Sequence, residues 1–94
     1  MKITLVKKIL ADGSPCKKCL EVLQKIESSD QMQYIDEVII ADEANQHSEG
    51  MRLAAKHNVT KAPFFIVEHD DGSHSVYTVY FKLVKDVIKP LQKR

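Results

Sequence analysis

Cys16-Lys17-Lys18-Cys19 holds the only two thiols among the 94 residues of this chain. They are its best candidates for covalent chemistry. Ser14-Pro15 precedes them. Serine caps helix N-termini, and proline suits the first helical position, where its missing N–H costs nothing. The pattern predicts a helix with Cys16 in its first turn and Cys19 one turn on, along the same face. Free N–H groups and the helix dipole favour a thiolate there. At this spacing Cβ atoms lie about 5–6 Å apart, against about 3.5–4.5 Å in a relaxed disulfide. A bridge can close with some distortion and would be easier to reduce than a structural staple. Lys17 and Lys18 oppose the helix dipole in the first turn but suit a neighbouring thiolate. With Pro15 they read as thiolate-stabilising; the plain alternative for the lysines is extension into water.

The elements that must position this pair follow from periodicity. Ile3 to Val6 reads as a buried strand continuing toward Leu10, and Asp12-Gly13 as a turn. Over 16–27 the apolar residues Leu20, Leu23 and Ile26 recur at helical spacing, and the cysteines extend that stripe. This places Cys19 under partial cover of the core and Cys16 at its rim. Val38 to Ala41 reads as a second buried strand. Residues 45–57 read as a second helix with Met51, Ala54 and Ala55 inward and Asn58 as its stop. A third strand spans 63–67, with Phe64 and Phe65 on opposite faces, and a hairpin turn lies at 70–73. A fourth strand takes 76–80. A last helix starts near Lys82 with Val84, Val87, Ile88 and Leu91 on one stripe, weakened or ended by Pro90. The order is β-α-β-α-β-β-α, and two strands joined through a helix should be parallel. The expected fold class is α/β, a four-stranded mixed sheet with three helices, in one domain over 1–94.

Composition sets the outer bounds. The chain is 44% hydrophobic and 29% charged, ordinary for a folded domain, and its net charge of +1 gives no electrostatic footprint for nucleic acid. Basic residues are scattered apart from Lys7-Lys8, Lys17-Lys18 and the Lys93-Arg94 end. No run is long enough for a membrane span, and Lys7-Lys8 interrupts the first apolar stretch too early for an export signal. The expectation is a cytoplasmic monomer, where paired cysteines more often mean catalysis, redox exchange or metal than a permanent staple. His47, His57, His69 and His74 read as surface or loop residues, and Tyr77 and Tyr80 as packing residues.

The element order, with Cys-x-x-Cys at the first βα junction, resembles the thioredoxin fold in its small, glutaredoxin-like form. Val59-Thr60-Lys61-Ala62-Pro63 followed by Phe64-Phe65-Ile66-Val67 resembles that family's loop in which a cis-proline opens the third strand. The resemblance implies a cis Pro63 opposite the cysteines, with Ala62 and Pro63 binding the backbone of an incoming substrate. It implies a thiol–disulfide oxidoreductase with Cys16 and Cys19 catalytic. No cofactor beyond the redox-active pair is implied, although glutathione stays open as a ligand. Partners would be protein disulfides and a reductant, either glutathione or a flavoprotein of the thioredoxin-reductase type, with no nucleic acid and no membrane. The chain departs from the family's patterns in several places. It has no Trp, and lysines fill its motif. Near Leu10 it lacks the buried acid of thioredoxins, and Ser73-His74-Ser75-Val76 stands where glutaredoxins carry Gly-Gly. Two other readings are an iron–sulfur or metal-binding glutaredoxin-like module and a non-catalytic binding domain.

Overall fold

The structure is a computed structural model that describes residues 1–93; Arg94 of the basic end lies outside the described residues. Four strands form one mixed sheet: β1 (Lys2–Ile9), β2 (Glu37–Asp42), β3 (Phe64–Glu68) and β4 (His74–Tyr77), in the spatial order β2-β1-β3-β4. β1 runs parallel to β2, and β3 is antiparallel to both β1 and β4. Helix α1 (Lys17–Ser28) makes the crossover from β1 to β2, and α2 (Glu49–Lys56) links β2 to β3. The C-terminal helix, α3, comprises Tyr80–Leu83, Val84–Ile88 and Lys89–Gln92. Among the described residues this is an α/β architecture of a mixed sheet with three helices, as the periodicity predicts.

Each inner strand is covered on both faces. Ile3 and Leu5 of β1 and Phe65 and Val67 of β3 pack with Val22 and Ile26 of α1 and with Leu83, Val87 and Ile88 of α3. Val6, Phe64 and Ile66 point the other way, toward Met51, Leu53 and Ala54 of α2. This two-sided cover explains the unbroken apolar runs of β1 and β3 and the opposed directions of Phe64 and Phe65. β2, at an edge, is not fully buried as expected. Ile39 and Ala41 face α2, while Val38 and Ile40 are exposed on the other face. The α1 stripe is also rotated from expectation: Cys19, Val22 and Ile26 are buried, Leu23 is half-buried, and Leu20 is 52% exposed. Leu20 sits one position off the buried face of an otherwise regular helix.

α2 is shorter than expected, because Asn45 forms a side-chain turn with the backbone N–H of His47 (2.9 Å) and the helix starts only at Glu49. Leu53 rather than Ala55 faces the sheet. Asn58 is the stop, with a φ of 59°, and Val59 N–H returns to Ala54 C=O at 2.8 Å. Gly50 is buried against β2. A Cβ there would lie 2.4 Å from Ala41 N and 2.5 Å from Ile40 C and O. These are backbone atoms of a strand and cannot move aside cheaply. Gly50→Ala should therefore destabilise the fold by about 2–3 kcal/mol, read as a lower denaturation midpoint with an unchanged slope.

The fourth strand ends at Tyr77, and the last helix begins at Tyr80, earlier than expected. The Tyr80 hydroxyl donates to Oε1 of the buried Gln31, drawing Tyr80 out of strand geometry and onto the core. Pro90 does not end this helix. It has no N–H for the Asp86 carbonyl, and its ring crowds that carbonyl. The turn ahead of it widens to π geometry, with Lys89 N–H on Val84 C=O, and the helix continues to Gln92.

Candidate functional site

The site is built on the way the chain leaves β1. Gly13 has a φ of 87°, its N–H binds Leu10 C=O (2.8 Å), and Leu10 N–H binds Ser14 C=O (2.9 Å). Asp12 Oδ1 accepts from Ser14 N–H (2.9 Å) and from its hydroxyl (2.6 Å), which holds the Asp12 carboxyl below its usual range. This turn reverses the chain so that Pro15 bridges antiparallel to Ile9. Ser14 is thus committed to the turn and does not cap the helix, and Pro15 lies ahead of the first helical residue.

Cys16 is itself the N-cap of α1, with extended backbone (φ −70°, ψ 119°). Its Sγ accepts the backbone N–H of Cys19 at 3.4 Å, so sulfur does the work that a serine oxygen does elsewhere. The peptide of Lys8 ties down both cysteines. Its C=O accepts Cys16 N–H (3.3 Å), and its N–H donates to Cys19 Sγ (3.4 Å). Leu10, the position that matches the buried acid of thioredoxins, is held in the turn, and it is Lys8, two residues earlier, that touches the pair. The Lys8 ammonium lies 3.4 Å from Glu43 Oε2.

The two thiols differ in surroundings. Cys16 is half-buried at the rim, and Cys19 is 3% exposed. Burial, with a smaller contribution from the hydrogen bond to Cys16, pushes the Cys19 thiol up to about 11; the Lys8 peptide N–H opposes this rise. At neutral pH Cys19 is a neutral thiol.

The other expected residues fall around this pair in separate places. Pro15, Cys16 and Cys19 line a hollow of about 180 Å³ with Lys7, Ile9 and Leu20. Pro63 is buried and joined to Ala62 by a cis peptide bond, as expected. Ala62 precedes the first β1–β3 ladder pair, Val6↔Phe64, and lines a hollow with Lys8 on the α2 side. Pro63 and Lys18 line a third groove with Val79 and Phe81. Lys17 and Lys18 are both exposed. Ser73-His74-Ser75-Val76 forms the hairpin and β4, and the junction leading into α3 is Thr78-Val79. Lys8, Val79 and Phe81 were not indicated by the sequence, because backbone contacts and exposed side chains at the start of a helix leave no periodic signal. Among the described residues, no three His, Cys, Asp or Glu side chains converge to hold a metal, and no helix is long and apolar enough to cross a membrane. No family model, curated protein or solved structure matches this chain.

Burial of the Cys19 thiol makes the stability of the reduced fold depend on pH. The unfolded chain releases this proton near pH 9, whereas the folded chain holds it to about 11. Reduced protein should lose stability as pH rises through that window, and Cys19→Ala should abolish that part of the loss, measured as melting temperature against pH. In Cys16→Ser, alkylation of Cys19 should stay slow at neutral pH and accelerate only in strong alkali.

Proposed function

We propose that this chain is a thiol–disulfide oxidoreductase of the thioredoxin-like type, acting on protein disulfides through Cys16 and Cys19. The observation that carries the reading is the asymmetry of the pair. An accessible sulfur at a helix start receives a backbone N–H, and a buried, neutral thiol waits one turn behind it. The strand order, the parallel β1–β2 pair and the cis Ala62–Pro63 bond also support it.

Cys16 as thiolate attacks one sulfur of the substrate disulfide. That S–S bond breaks, a mixed disulfide with Cys16 forms, and the departing substrate sulfur takes a proton. Cys19 then gives up its proton and attacks Cys16 Sγ. The mixed disulfide breaks, the second substrate thiol leaves, and the two electrons delivered now reside in the substrate, with Cys16–Cys19 oxidised. Two glutathione thiols, or one dithiol of a reductase, return the pair to its starting state. Ala62, just ahead of the β3 ladder, offers main-chain groups for pairing with the substrate strand. Lys17 and Lys18 add positive potential around Cys16. The reading places the protein as a monomer in a reducing compartment, the cytoplasm.

Cys16→Ser should abolish disulfide reduction. Cys19→Ser should accumulate a mixed disulfide visible by mass spectrometry; undiminished dithiol turnover in that variant would refute the assigned roles. Because Cys19 must ionise to resolve, release from the mixed disulfide should speed up as pH rises from neutral toward alkaline. Equilibration in glutathione buffers should give a midpoint of about −270 to −120 mV, the span of related exchangers; a potential far below it would mark an inert staple.

A further inference from the structure

Apart from the hollow lined by the cysteines lies a separate groove, which shares with the proposed exchange site only Lys18 and Pro63. It measures about 200 Å³ and runs between α1 and the start of α3. One wall is the face of α1 carrying Lys18, Val22 and Lys25, one helical turn after another. The other is the Thr78–Phe81 stretch, numbered 78–81, and the floor is Pro63 with Phe65. Two apolar side chains stand unsheltered on the second wall, Val79 at 54% and Phe81 at 71% exposure. The lining contains two lysines and, among the described residues, no carboxylate. The Lys25 ammonium lies 5.4 Å from the centre of the Phe81 ring, which keeps that charge over the groove's mouth.

We propose that this groove seats an extended peptide segment next to the reacting cysteine of a protein substrate, one that carries carboxylate side chains beside a bulky apolar residue. The inference rests on the exchange function above and adds its substrate class. Charge complementarity selects the occupant: Lys18 and Lys25 bracket Val22 along one wall, so carboxylates can meet both ends while an apolar side chain covers Val79 and Phe81. Pro63 lines this groove and follows Ala62 directly in the chain, so a substrate backbone that pairs ahead of β3 at Ala62 would bring its flanking residues to the groove.

The test uses disulfide-linked peptides of one length and one leucine content, with acidic, neutral or basic flanks, reduced by the intact protein. The acidic series should exceed the basic series by about threefold to tenfold in kcat/KM at low salt, the effect of two exposed charge pairs. The preference should shrink in about 0.5 M salt, where screening reaches within a few ångströms. Lys25→Glu should erase or invert the acidic-to-basic ratio. Lys56→Glu, the same charge change on exposed α2, should leave the ratio as it was. Equal rates across the series, or an equal effect of Lys56→Glu, would overturn the inference. A thiol-free acidic peptide should shift the backbone NMR signals of Thr78 to Phe81, and no shift there counts against the groove. Reduction of a small uncharged disulfide, bis(2-hydroxyethyl) disulfide, reads the exchange function by itself. If that reaction fails while the thiol-free peptide still binds, the exchange reading falls and the groove stands. If it proceeds without acidic preference, only the groove falls.

Discussion

One peptide group holds the site together. The carbonyl of Lys8 takes the N–H of Cys16, and its N–H reaches the sulfur of Cys19. Lys8 belongs to β1 and pairs with Ala41 of β2, while the strand's earlier residues, Lys2 to Val6, also pair with β3. The positions of both sulfurs are thereby referred to an inner strand of the sheet rather than to a free loop. Val22 and Ile26 anchor the other end of α1 in the same core that holds Ile3 and Leu5. The cysteine pair sits between two rigid attachments, and rigid support keeps a reactive geometry in place.

The contrast between the two thiols follows from this placement. The helix starts at the sheet's edge of cover, so its cap residue stays reachable while the residue one turn later is already inside. Low polarity around Cys19 disfavours its anion, which is why its proton is held so firmly. Cys16 has the opposite surroundings, with solvent on one side and a donated N–H on the other. Sulfur as the capping atom couples the start of α1 to the state of the Cys16 thiol, because the same lone pairs that would be lost on modification accept the Cys19 N–H.

Cover by the helices also decides what is exposed. α1 and α3 pack against one face of the sheet and α2 against the other, leaving part of edge strand β2 uncovered where Val38 and Ile40 stand. Between α1 and the start of α3 the cover is incomplete, and the gap forms the groove lined by Lys18 and Lys25. Gly50 reports how tightly α2 closes on its side, since even a methyl group would strike the β2 backbone.

The element order, the paired thiols at a helix head and the opposed directions of Phe64 and Phe65 were legible in the residues alone, because period, capping chemistry and strand alternation are local. The cis bond at Pro63 was legible only through resemblance to a known loop, since most X-Pro bonds are trans. Other features required the folded chain. Ser14 could cap a helix or hold a turn, and the pairing of Pro15 with Ile9 decided for the turn. Leu20 and Val22 are equally apolar, and only the rotation of α1 on the sheet says which is buried. Pro90 can stop a helix or be accommodated, and packing of Val87, Ile88 and Leu91 against the core carried α3 past it through a widened turn. Local sequence sets what each residue is able to do; where several outcomes cost nearly the same, long-range burial makes the choice.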